Sequence, residues 1–209
     1  MRSVENERLV FFSDAIIAVT ITLLALDIRL PDGPEGLSEA DLISQILAMW
    51  PRIFAYILSF LVIALFWMAH RRKFETFTGS HVSIVWLNFL FLLLLGLIPF
   101  ATDVLAENGG LVATVFYAGL VAVISLVLSL ISVAAEHNGL LAREADHPLR
   151  ERMLIPSLAT TGVFAGSIPI AFIQVELAQF FWFAAFPLNI YLARRARARK
   201  AAPPTPGQS

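Results

Sequence analysis

Residues 82–101 read VSIVWLNFLFLLLLGLIPFA, twenty positions without one Lys, Arg, Asp or Glu, and with seven consecutive large apolar side chains from Phe89 to Leu95. A helix rises about 1.5 Å per residue, so this stretch covers the roughly 30 Å hydrocarbon core of a bilayer. In lipid only helices and closed barrels satisfy every backbone hydrogen bond, and the run lacks the apolar–polar alternation of a barrel strand. It predicts a transmembrane helix, and the rest of the chain can be read for companions.

Five further stretches have the same character: Leu9 to Ile28, Ile53 to Ala69, Leu111 to Ala135, Met153 to Val175 and Leu177 to Ala193. The whole chain of 209 residues is 58% hydrophobic and only 15% charged. Soluble domains run at about 45–50% apolar and about 25% charged, so there is too little charge here to coat a soluble surface. The expected fold class is all-α integral membrane, with six transmembrane helices in one domain over residues 1–200. Residues 201–209, rich in Ala, Pro and Thr, are expected to be a disordered tail. A net charge of -1 offers no field for nucleic acid. With no Cys and four scattered His, neither disulfides nor a structural metal site nor a bound cofactor is expected.

The basic residues set the orientation. If six spans exist, thirteen of the fifteen Lys and Arg fall on one side, leaving Arg29 and Arg52 on the other. Arg71, Arg72 and Lys73 follow the second span, and five more lie between Arg194 and Lys200. The positive-inside rule then places both termini in the cytoplasm of a plasma-membrane protein. Glu5 and Glu7 spoil a signal-peptide n-region, so the first span is expected to stay. Pro31 to Pro34 breaks the chain after it. Ser38, with Asp41 three residues on, reads as an N-cap opening a short extracytoplasmic helix toward Met49. Asn138 to Arg152 reads as a polar cytoplasmic loop.

Only the first span is rich in polar residues: Ser13, Asp14, Thr20, Thr22 and Asp27. An ionisable group inside a span is costly and points to function, although a pairing with Arg8 or Arg71 near the helix end would equally account for Asp14. At about 100° per residue, Ser13, Thr20 and Asp27 form one stripe. Val19, Leu23, Leu26 and Leu30 form another, with Thr22 on its flank and Asp14 on roughly the opposite side. One face must pack inside the subunit, leaving the other to a partner, a pore or lipid. Elsewhere Trp67 and His70 end the second span, Asn88 sits in the third, and Glu136 and His137 end the fourth. Gly162 and Gly166 form a small-xxx-small pair that reads as close packing. The chain contains no GxSxG, HExxH, GxxxxGK or GxGxxG, so no enzyme is expected, and no TVGYG-like filter is present.

Arg8 to Asp14 spells R-x-x-x-F-S-D, followed by Ala15-Ile16-Ile17-Ala18 and Thr22-Leu23-Leu24-Ala25-Leu26-Asp27. This resembles the signature of the transmembrane protein 175 family of potassium channels in its single-repeat prokaryotic form. Leu65 to Arg71 resembles that family's second-span ending, and Asn88 to Thr102 its third span. The second half matches in span number and length, without a specific motif. The resemblance implies a homotetramer permeable to potassium, and to other monovalent cations, with the first helix of each subunit lining the pore. Rings of apolar side chains at Val19, Leu23 and Leu26 would form filter and gate, with Thr22 beside them. Val19 is smaller than the isoleucine or leucine usual there. The motif residues Phe12, Ser13 and Asp14 would pack within the subunit, with Trp67, His70 and Asn88 as polar partners, and Arg8 belongs to the same signature and structural network. Two other classes are weighed against this: a proton-coupled transporter or proton pathway using Asp14, His70 and His137, and a non-transporting scaffold. A transporter would more often show matched Gly/Pro-broken helices, which Pro99, Pro169 and Pro187 do not supply.

Overall fold

The computed structural model describes residues 4–30, 38–141 and 148–201. Those residues are helical throughout apart from connections and one isolated antiparallel bridge, Phe77 to Leu141. In chain order the helices are α1 (Val4–Leu26), α2 (Glu39–Ala48), α3 (Trp50–Phe74), α4 (Val82–Leu95), α5 (Ile98–Asn108), α6 (Leu111–His137), α7 (Pro148–Ala171), α8 (Val175–Phe181) and α9 (Ala185–Ala201). Among the described residues six stretches are long and apolar enough to cross a bilayer: α1, α3, α4 with α5, α6, α7, and α8 with α9. These are the six spans that hydropathy predicts, and the protein is an all-helical, multi-pass membrane protein.

Two spans are broken, each next to a proline. The third expected helix continues past Ala101 to Asn108, interrupted at Gly96–Leu97. Pro99 lies in the first turn of α5, where its missing N–H costs nothing, and its ring excludes a regular helix across Leu95. The sixth span tightens to a 3-10 turn at Trp182–Ala184, just before Pro187. Pro148 opens α7, five residues earlier than the apolar run suggested. Ser38 caps α2 as predicted: its hydroxyl accepts from the Asp41 amide at 3.3 Å and donates to the Asp41 carboxylate at 2.6 Å. The Pro31–Pro34 break and the tail beyond Ala201 lie outside the described residues.

α6 is the central post. Tyr117, Val121, Ile124, Leu128 and Ile131 are buried along its length against α4, α5 and α7. Hydroxyls tie the bundle at depth. Tyr117 Oη lies 2.9 Å from Ser59 Oγ on α3, which receives Thr102 Oγ1 of α5 at 2.7 Å. Ser125 Oγ donates to the Ser157 carbonyl of α7 at 2.7 Å, and Asn189 of α9 to Thr160 at 2.9 Å. Without water as a competing partner, such bonds join helices whose apolar surfaces lipid would cover equally well. Gly162 and Gly166 depart from expectation. Both are exposed, with open space where a Cβ would stand, so they pack nothing within the subunit.

Candidate functional site

α1 lies at the edge of the bundle, on α3, α4 and α5. Its buried positions are Asn6, Ser13, Ile17, Thr20 and Leu24, a stripe with helical spacing. The Ser13–Thr20 face therefore points into the subunit, and Asp27, next along it, is half-buried. The hydroxyls are satisfied by their own helix: Ser13 Oγ donates to the Leu9 carbonyl at 2.8 Å and Thr20 Oγ1 to that of Ile16 at 2.9 Å. This i−4 back-bonding lets a polar stripe sit in a dry interior.

A chain of hydrogen bonds fixes the stripe to its neighbours. Asn88 Nδ2 of α4 donates to Ser13 Oγ at 2.9 Å, and His70 Nε2 of α3 donates to Asn88 Oδ1 at 2.8 Å. An amide oxygen only accepts, so His70 carries its proton on Nε2. The imidazole is stacked between Phe74 (centroids 4.3 Å) and Phe91 (5.4 Å), which locks its plane. Asp14 leaves the stripe sideways, and Trp67 Nε1 donates to its carboxylate at 2.9 Å. Arg71 stacks over the same indole, 5.7 Å from the ring centroid, and pairs with Glu75 at 3.0 Å.

The opposite side of α1 is bare. Val19 is 56% exposed, Leu23 42% and Leu26 57%, and Thr22 and Leu30 are exposed beside them. Phe12 differs from the expectation of packing inside the subunit. It is 49% exposed, with its ring against the edge of Phe89 at 5.9 Å, because seven residues before Val19 places it on Val19's own side. Arg8 is exposed and lines an open groove of about 560 Å³ with Glu5, Phe12, His81 and Phe89. His137 is exposed at the end of α6.

Two buried groups escaped the sequence reading. Asn6, seven before Ser13, extends the inward stripe, and its Nδ2 donates to the Phe74 carbonyl at 3.3 Å. The spacing could have shown it. Lys73, read as a loop cation beside Arg71 and Arg72, is instead 2% exposed. Its Nζ donates to Ser132 Oγ of α6 at 2.7 Å and to the Met153 carbonyl of α7. No local pattern separates it from its exposed neighbours.

Six spans, with a first helix pinned inward by polar bonds and apolar on its free side, define a membrane bundle built to present that helix to something outside the subunit. The family model described as "Endosomal/lysosomal potassium channel TMEM175" matches residues 8–99. A potassium channel of Chamaesiphon minutus is 32% identical over 199 residues, which are 93% of this chain and 96% of that one. A potassium channel of Streptomyces collinus is 40% identical over 105 residues, 49% of this chain and 48% of its own. The human endosomal/lysosomal proton channel TMEM175 is 35% identical over 102 residues, 46% of this chain and 20% of its own. The crystal structure of a lysosomal potassium-selective channel TMEM175 homolog from Chamaesiphon minutus superposes with a TM-score of 0.75 at 28% identity, covering 93% of this chain and 99% of that one. The chain belongs to the TMEM175 family, and the relatives it matches are named as ion channels, not enzymes.

Proposed function

We propose that the protein is a potassium-permeable cation channel formed by four copies of the chain, with α1 of each lining a central pore. The carrying observation is the two-sidedness of α1: its polar stripe is held within the subunit, while Val19, Leu23 and Leu26 stand uncovered on the other side. Cyclic symmetry turns one such face into a ring. Successive rings of Val19, Leu23 and Leu26, with Thr22 between them, constrict the path by dewetting. No carbonyl filter is involved. An ion passing an apolar ring gives up water without gaining a ligand, and potassium, which holds its hydration less tightly than sodium, crosses at lower cost. Asp14, Trp67, His70, Asn88 and Ser13 hold the helix at the angle that aims this face. The basic residues support cytoplasmic termini, and the plasma membrane is the location proposed with them. Names of relatives favour conduction over a scaffold, and the vertebrate ones are named as proton channels, so protons are the second ion to test.

The test is reconstitution into liposomes with a potassium gradient, read by flux of potassium, sodium and protons, alongside native mass measurement in detergent. Potassium flux from a tetramer is expected. A conducting monomer would remove the ring, absence of any monovalent flux would remove the channel, and coupled proton–solute exchange would favour the transporter reading.

A further inference from the structure

The last turn of α3 holds two sets of contacts that point in opposite directions. Toward α1, His70 reaches Ser13 through Asn88, and the Phe74 carbonyl receives Asn6. Toward α6 and α7, Lys73 Nζ donates to Ser132 Oγ and to the Met153 carbonyl, and the next turn adds Thr76 Oγ1 against Met153 Sδ at 3.5 Å. His70, Lys73 and Phe74 thus lie within five residues of one helix, all buried. These residues share one helical turn, so a rigid movement of that turn carries all of the contacts together.

We propose that Lys73 is a positioning residue for α1: it clamps the start of α7 to the turn of α3 that carries the α1 anchor, so that displacement of α7 at this end moves α1. Two features single Lys73 out from ordinary packing. A lysine is a long, flexible cation, and it loses much side-chain entropy and its hydration when it is buried. A Leu or Met would fill the volume without that cost. What the amine adds is direction, because it holds the backbone carbonyl of Met153, at the beginning of the apolar part of α7. The carbonyl is four residues before Ser157, whose own carbonyl is taken by Ser125, so α7 is gripped at two successive turns, once from α3 and once from α6. The α3 grip is the one that continues into α1. The inference concerns the position of α1 and stands whether or not the assembly conducts.

The chain has no Cys, so single cysteines can be introduced and spin-labelled cleanly. Labels at Glu7→Cys and Ala15→Cys, both exposed on α1, are read in liposomes with and without Lys73→Met. Tyr117→Phe is the control, since it loses a buried bond of α6 remote from the α3 turn. Lys73→Met is expected to raise the mobile fraction at both α1 labels and to shift label-to-label distances between subunits, while Tyr117→Phe lowers thermal stability and leaves the α1 spectra unchanged. Ser132→Ala, which removes one of the two Lys73 acceptors, gives a smaller shift in the same direction and serves if Lys73→Met does not fold. Unchanged α1 spectra in Lys73→Met, or equal changes in Lys73→Met and Tyr117→Phe, overturn the proposal.

Discussion

α1 and α6 have similar length and similar apolar composition, yet the bundle uses them in opposite ways. In α6 the most apolar window is 56% buried, and Tyr117, Val121, Ile124 and Ile131 have no exposed surface at all. In α1 the corresponding share is 28%, and much of what is buried is polar. Apolar packing dominates the hold on α6, whereas on α1 directed hydrogen bonds share that role with a few apolar side chains such as Ile17 and Leu24. The difference teaches that hydropathy alone does not rank helices by importance to the fold. It also separates two kinds of sensitivity: substitutions on α6 should be felt as stability, and substitutions on the bare side of α1 as conduction.

The largest effect is expected at Tyr117. Replacing it with Ala opens a cavity against Trp182 and leaves Ser59 Oγ with Thr102 alone, for a loss of about 3–5 kcal/mol, measurable as unfolding in mixed micelles. If Tyr117→Ala is tolerated with native stability, the account of α6 as central post is wrong. Asp14→Ala should come next. It strands Trp67 Nε1 in a half-buried site, costing about 1–3 kcal/mol, and is expected to lower tetramer yield more than it alters ion preference. A stable tetramer with changed selectivity would move Asp14 from anchor to permeation path. Leu23→Ala and Leu26→Ala should change subunit stability by less than about 0.5 kcal/mol while raising conductance and eroding potassium preference in single-channel recordings. Val19→Leu should do the reverse. The smallest effect is expected from Asp27→Asn, on the inward stripe. Should it dominate ion preference while the leucine variants behave like wild type, the wrong face of α1 has been assigned to the pore.

The six spans were legible because each must be about twenty apolar residues long, a constraint imposed by the bilayer and independent of neighbours. Their interruptions were less so. Pro99 and Pro187 announce a bend, but how far a helix resumes afterward depends on what it packs against, and α5 resumes for a further three turns. The inward direction of Ser13 and Thr20 was not readable from polarity, since a hydroxyl stripe fits water and a dry interior alike once it bonds its own carbonyls. The contacts of Ser13 with Asn88 and of Asp14 with Trp67 join residues 75 and 53 positions apart. Periodicity supplies a face, not a partner, and it was the resemblance that named these partners. Gly162 and Gly166 show the converse: a motif for close approach was visible, and the subunit leaves it open.

Lys73 has one more consequence, in the order of synthesis. Chains emerge from the N-terminus, so α3 enters the membrane before α6 and α7 have been made. At that stage Lys73 has neither Ser132 nor Met153 to hold, and it is expected to count with Arg71 and Arg72 as a third positive charge. In the proposed orientation that cluster retains the end of α3 on the cytoplasmic side while the topology is being set. Once α6 and α7 arrive, the same amine withdraws from the surface into the bundle. In that orientation a residue that first reports its side of the membrane becomes, after assembly, one with almost no exposed surface.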